Sequence, residues 1–272
     1  PATQENLRLL KARGMRIVEV DSGLLACGDV GKGRLAPLDV IEDEIEQALI
    51  TEKPLAGLKV LVSAGPTQEA LDPVRYLTNH SSGKMGYAIA KAARNWGAEV
   101  TLIHGPTTLP ALRGVENQPV TSAQAMAEAV FSRTSESDLI IKAAAVADYT
   151  PVETASEKIK KTDGEFQLTL KRTQDILKAV GERKRSDQVL CGFAMETEQL
   201  LARARTKLAS KHADLIVAND LRESGAGFGI DTNRVTVITA SGEETLPLMR
   251  KEDLAYELLK RCLTILKEKR EK

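Results

Sequence analysis

At 272 residues the chain exceeds one typical domain and falls short of two, which suits a main domain of about 200 residues with an appendage. Charge is balanced, 38 Lys and Arg against 38 Asp and Glu, so no global positive field draws in nucleic acid or an anionic membrane, and 3% aromatic residues argue against a base-stacking platform. Cys27, Cys191 and Cys262 form no Cys-x-x-Cys, which argues against a disulfide framework or a zinc site; without a signal-like start or a long apolar run, the expected location is the cytosol.

The chain opens on Pro1 and runs at once into Thr3-Gln4-Glu5-Asn6-Leu7, which reads as the interior of a longer gene product. The pattern then predicts a helix over about 3–13, a short strand over 15–20, a glycine-rich loop over 23–33 and a second helix from near Leu38. Those residues are too few to build a core, and a polar stretch with Thr51, Lys53, Pro54 and Gly57 sets them apart. The expected division is therefore an appendage over 1–50, a linker over 51–57 and a domain over 58–272. Residues 58–62 make the first buried strand, and strand-like runs recur over 100–104, 138–143, 189–193 and 214–217, alternating with helical patterns. The run over 234–240 followed by polar Ser241-Gly242-Glu243-Glu244 and Thr245-Leu246 predicts a late hairpin, before a closing helix over about 252–267. The expected class is α/β: a Rossmann-like, doubly wound, mainly parallel sheet with helices on both faces, plus the hairpin and the N-terminal appendage.

Ligands of such sheets sit beyond the carboxyl ends of the strands, which directs attention to the loops 64–83, 143–161 and 218–233. The first begins Gly65-Pro66-Thr67 and ends Asn79-His80-Ser81-Ser82-Gly83-Lys84-Met85-Gly86. It lacks a Gly-x-Gly-x-x-Gly fingerprint, but two serines, a glycine and a lysine at a helix start suit an anion as well as they suit plain capping. In the second, Ala143-Ala144-Ala145-Val146-Ala147 is small enough to admit a base or ribose against the backbone, or simply a packed helix, before Asp148 presents a carboxylate. Lys158-Ile159-Lys160-Lys161 follows and could neutralise a triphosphate or remain a solvated loop. Lys207 and Lys211 share one helix face. In the third loop, Asn219-Asp220 leads to Gly225-Ala226-Gly227-Phe228-Gly229, a lid or a turn. His80, His104 and His212 have no metal-ligand spacing, and His104, ending an apolar strand, reads as structural.

Taken together these segments resemble the phosphopantothenoylcysteine synthetase domain of the bacterial bifunctional coenzyme A biosynthesis protein. Residues 72–86, 143–149 and 158–161, Gly192-Phe193-Ala194 with Glu196-Thr197, and Asn219-Asp220 occur in that family's order. The first fifty residues resemble the tail of the partner decarboxylase, where Leu25-Ala26-Cys27-Gly28-Asp29 and Gly31-Lys32-Gly33-Arg34 match its substrate-covering segment. The FMN-binding body and the upstream histidine of that enzyme are not in this sequence, so Cys27 stands without its site and no decarboxylation is expected.

The resemblance implies amide formation between 4'-phosphopantothenate and L-cysteine, with CTP and Mg2+, through an acyl-cytidylate, in a homodimer carrying the decarboxylase on the same gene product. It assigns Asn79 to the acyl intermediate and Lys158 to the triphosphate. It gives the nucleotide Lys142, Ala143, Ala144, Asp148, Gln174, Asp175, Ile176, Leu177, Phe193, Lys207 and Lys211, and gives phosphopantothenate Gly65, Thr67 and Arg75 with Asn79. Thr173-Gln174-Asp175 departs from a common Asn-Pro-Asp, and Ala70 and Leu35 replace a frequent proline and methionine; none of these is a proposed reacting group. CTP rather than ATP follows only from the bacterial branch. The rival readings are a nicotinamide oxidoreductase on the same sheet and a noncatalytic nucleotide-binding or scaffold protein.

Overall fold

The computed structural model describes residues 1–161, 163–196, 200–220, 227 and 229–271 and divides into two units, Pro1–Lys53 and Pro54–Lys272. The first unit has helices Ala2–Ala12 and Leu38–Leu49 and a two-stranded ribbon of Asp21–Leu24 with Val30–Arg34. The strand expected over 15–20 is absent and the expected glycine-rich loop is this hairpin, closed by Leu25 N–H to Asp29 O at 2.8 Å. Gly, Lys and Asp are poor strand formers, so pairing across a turn decides the strand here and composition hides it. The unit buries two hydrophobic side chains, Ala36 and Val40, and exposes Leu24, Val30 and Leu49.

In the second unit the strands of the main sheet are β1 (Lys59–Ala64), β2 (Glu99–His104), β3 (Glu116–Pro119), β4 (Leu139–Lys142), β5 (Val189–Glu196), β6 (Leu215–Asp220), β7 (Val235–Thr239) and β8 (Gly242–Thr245). Their order across the eight-stranded sheet is β8-β7-β6-β5-β4-β1-β2-β3. The six from β3 to β6 are parallel, and β7 and β8 extend the sheet as an antiparallel hairpin. Order 3-2-1-4-5-6 with a switch between β1 and β4 is the Rossmann arrangement.

Helices α1 (Lys84–Asn95), α2 (Ala123–Thr134), α3 (Ile176–Arg183), α4 (Leu200–Ser210) and α5 (Lys251–Arg270) cover both faces. Alternation along the strands sorts the core into two layers. Val60, Val62, Ile141, Cys191 and Val217 pack with Ile89 and Ala90 of α1 and Leu254, Leu258 and Leu259 of α5. Leu61, Ile140, Leu190 and Ile216 pack on the other face with Met126 and Val130 of α2, Val180 of α3 and Ala204 of α4. Each fully buried aliphatic side chain contributes about 1.5–3 kcal/mol. Among the described residues, two helix starts are capped by side chains: Ser122 Oγ accepts from Ala125 N–H at 3.2 Å, and Asp175 Oδ1 from Lys178 N–H at 2.9 Å. Among the described residues, no helix is long and apolar enough to cross a membrane.

One register feature shapes the site. β4 ends at Lys142, opposite Ser63 of β1 and Gly192 of β5, whereas β5 continues to Glu196 alongside β6. The central strand thus stops short of its neighbour and leaves a notch at the carboxyl edge of the sheet, with Phe193 on its wall. Composition marks 189–193 as strand and misses the overhang, because only pairing with β6 extends it.

Candidate active site

The loops after β1 and β4, on either side of the switch point, are joined by backbone. Ala145 N–H donates to Gly65 O at 2.9 Å, Thr67 N–H to Ala145 O at 3.2 Å, and Ala147 N–H to the buried Thr67 hydroxyl at 3.0 Å. Gly65 adopts φ +74°, the left-handed turn that lets the chain leave β1 and cross to β4. Both loops carry short ribbons that sequence reading leaves as loop, Gln68–Ala70 with Tyr76–Thr78 and Tyr149–Pro151 with Leu170–Arg172.

Below this junction a cavity of about 480 Å³ occupies the notch. It gathers Lys142, Ala144, Asp148, Gln174, Asp175, Ile176, Leu177, Phe193 and Lys207, residues from four separate stretches of chain. Ile176 and Leu177 are buried, while Arg172, Gln174 and Asp175 are exposed, so the cavity has an apolar floor and a polar, charged rim. Lys207 reaches from α4 and donates to Phe193 O at 2.8 Å. Burial pushes the Asp175 carboxyl up, but the Lys211 ammonium, the Lys178 N–H and the Lys207 charge together hold it below the usual range. Lys142, 7% exposed, lies among the floor residues, and burial pushes its ammonium down to about 7 against a smaller opposing pull from Asp175.

A second cavity, about 490 Å³, adjoins the first and shares with it Ala144, Val146, Asp148, Phe193 and Lys207. Its lining includes Asn79, Ala143 and the chain from Ser81 through Gly83 into the first turn of α1. Gly86 lets α1 sit directly on the end of β1: a Cβ there would lie 2.5 Å from that of Ala64. The helix N-terminus, with its unpaired N–H groups and positive dipole end, is thereby held at the cavity. Asn79 Nδ2 donates to Ala145 O at 3.3 Å and Val146 O at 3.2 Å, which fixes the amide against the β4 loop. Asn219 also lines this cavity, and its buried Oδ1 has no partner among the described residues. Lys251, whose ammonium is lowered by burial and by the Lys84 charge, donates to Gly227 O at 2.9 Å.

Other expected site residues lie outside both cavities. Gly65 and Thr67 serve the loop junction, and Lys211 lies one residue past α4 on Asp175. Lys158 is exposed on the 151–161 loop, and Arg75 stands beside that loop, donating to Ile159 O at 2.8 Å. What fixes this arrangement is Asp72. Its buried carboxylate accepts from Val74 N–H at 2.8 Å, Arg75 N–H at 2.9 Å and Ile159 N–H at 3.0 Å, besides the Arg75 guanidinium, which holds it well below the usual carboxylate range. The signal for it was Asp-Pro at a turn, a local motif that gives no hint of a partner 87 residues away. Cys27 is exposed in the first unit, its thiol 3.7 Å from Asp29 Oδ2. Of the expected lid over 225–229, only Gly227 and Gly229 are among the described residues, and Thr197 is outside them. His104 ends β2 and packs edge-on against Tyr87.

The sequence matches the family described as the DNA/pantothenate metabolism flavoprotein C-terminal domain over residues 55–266. The coenzyme A biosynthesis bifunctional protein CoaBC of Bacillus subtilis (strain 168) is 49% identical over 98% of this chain and 67% of its own length. A protein named cysteine/cysteine sulfinic acid decarboxylase, from an unknown prokaryotic organism, is 45% identical over 97% of this chain and 76% of its own length. The crystal structure of the C-terminal domain of CoaBC aligns with a TM-score of 0.69 at 43% identity, over 80% of this chain and 100% of that one. The chain thus spans about two thirds of the B. subtilis relative.

Proposed function

The chain belongs to the DNA/pantothenate metabolism flavoprotein C-terminal domain family, and from that premise we propose that it is a ligase of coenzyme A biosynthesis, joining 4'-phosphopantothenate to L-cysteine at the expense of CTP. The observation that carries the reading is the pair of similar-sized cavities sharing one wall at the switch point. A ligase that activates one substrate with another needs two adjoining pockets whose contents meet. Asp148, Phe193 and Lys207 stand on that wall, and Asn79 is fixed to the loop that forms it.

A carboxylate does not react with an amine until its oxygen becomes part of a leaving group. In the proposed sequence a phosphopantothenate carboxylate oxygen attacks the α-phosphorus of CTP and the α–β phosphoanhydride breaks, giving an acyl-cytidylate and pyrophosphate. The cysteine amine then attacks the acyl carbon, the acyl–phosphate bond breaks, CMP leaves, and the amine loses a proton as the amide forms. The first cavity takes the cytidine, its base against the apolar floor and the backbone of 142–144, with Phe193 beside it. Lys207 and Lys211 lie toward the phosphates, and Lys158 belongs to the triphosphate. Asn79 sets a neutral amide, in place of a charged group, beside the acyl oxygen. Catalysis on this account is positioning and charge stabilisation.

Among the described residues no three His, Cys, Asp or Glu side chains converge to hold a metal. On this reading Mg2+ would be held chiefly through the triphosphate oxygens, where it supplies charge neutralisation. The decarboxylase name of the second relative belongs to that protein. Cys27 lies in the other unit, and no flavin chemistry is proposed for this chain.

The test is pyrophosphate release with 4'-phosphopantothenate and Mg2+, comparing CTP with ATP, with and without cysteine. Release that needs CTP and phosphopantothenate, with amide appearing only on adding cysteine, is the expected result. No release with either nucleotide from folded protein would overturn the proposal.

A further inference from the structure

The ligase reading uses only the backbone of the β4 end and leaves the Lys142 side chain without a task. That side chain is unusual. It is nine-tenths buried on the central strand, and among the described residues Nζ finds only the Met126 sulfur, at 4.0 Å, a weak acceptor. The carboxylate whose charge reaches it, Asp175, already has one oxygen on Lys178 N–H and the other on Lys211. A buried amine with unused donors is costly unless a ligand completes it.

The surroundings select that ligand. Beside Lys142 the cavity is lined by Ala144, Ile176, Leu177 and Phe193, while the exposed polar residues Arg172 and Gln174 stand at the mouth. A phosphate group would have to shed its water against an apolar floor. A flat heteroaromatic base loses little there, and the part of it that arrives first is a polar edge. Resting on the assignment of this cavity to the nucleotide, we infer that Lys142 Nζ donates to a ring carbonyl of the nucleobase and so sets a preference for carbonyl-bearing pyrimidines over adenine. Along its pairing edge cytosine ends in the O2 carbonyl, where adenine has a C–H that accepts nothing. Uracil carries the same carbonyl, so Lys142 separates pyrimidines from adenine and not cytosine from uracil. Burial lowers the ammonium toward neutrality, which eases the cost of the empty site, and the amine donates in either protonation state.

The experiment is equilibrium binding of CTP, UTP and ATP, each with Mg2+, to the 272-residue chain and to its Lys142→Met and Lys142→Gln variants. Lys142→Met should weaken CTP and UTP on the order of 10- to 100-fold, leave ATP within about threefold, and raise the unfolding temperature. Lys142→Gln, whose amide still donates, should retain part of the pyrimidine preference. A merely structural lysine would shift all three nucleotides alike. If Lys142→Met binds CTP and makes product with an unchanged CTP-to-ATP ratio, this inference fails and the ligase reading stands. If the wild-type chain binds no nucleotide, both fail.

Discussion

The two ends of the central sheet leave their polar side chains in different states. At the amino end, before β4 and β6, the half-buried acids Asp138 and Asp214 are both answered. Asp214 accepts from Leu190 N–H at 2.8 Å and pairs with Lys184 at 3.1 Å and Lys269 at 2.6 Å, and Asp138 accepts from Lys59 N–H at 2.7 Å and pairs with Arg270. At the carboxyl end, Lys142 has a sulfur for a neighbour and Asn219 Oδ1 has none among the described residues. The amino end closes the fold by fastening α5 to the strands. At the carboxyl end the loop acids Asp72 and Glu69 are also answered, but Lys142 and Asn219 keep a donor and an acceptor unused among the described residues, which is how a binding edge differs from a structural one.

Breaking the closed end should produce the largest change. Asp214→Ala removes the acceptor shared by Lys184, Lys269 and the Leu190 N–H, leaving Lys269 its bond to Gln188 O, and should cost about 3 kcal/mol in urea unfolding, with activity per folded molecule retained. Lost activity at unchanged stability would show that the two ends are not separable. Asn79→Asp, at the open end, should do the reverse. Amide formation should fall about 100-fold as a carboxylate faces the acyl oxygen, with CTP affinity within about threefold of wild type. Product at the wild-type rate would remove Asn79 from the chemistry.

Removing Lys142 should stabilise the protein. Lys142→Met should be the more stable protein near pH 6.5, because a charge leaves an apolar floor. Folded, this lysine loses its proton near about 7; unfolded, near about 10.4. Unfolding therefore takes up a proton between those values, so wild-type stability rises with pH across that window while the variant lacks this contribution. The gap between the two should be full below pH 7 and close toward pH 10, as read by unfolding at a series of pH values; a pH-independent gap would mean that Lys142 does not titrate in the fold. The smallest effect is expected of Asp175→Asn, which keeps the cap of α3 but loses the half-exposed pair with Lys211. It should cost about 0.5 kcal/mol, and less in high salt, by thermal unfolding at two ionic strengths.

The main strands are legible because a parallel strand buried on both faces is written as an unbroken apolar run, as in Leu58-Lys59-Val60-Leu61-Val62. Edge strand β3 is not legible: Glu116-Asn117-Gln118-Pro119 has no pattern and is a strand only because β2 offers it partners. The first-unit hairpin was missed for the same reason. In the site, the resemblance to the synthetase family supplied the residue set, and the structure gathers nine of its members around one cavity. It leaves Lys158 exposed on a loop that Asp72 tethers through Ile159.

The sequence by itself determined the layered α/β class, the alternation of helix and strand, and the kinds of side chain at the carboxyl edge, because local pattern and composition carry those directly. Only the tertiary structure decided that β4 stops short beneath β5, that two cavities share a wall, and that one lysine is buried there with no carboxylate of its own among the described residues. These depend on register and on which distant groups are already satisfied, and no local stretch of chain encodes the partners it fails to have.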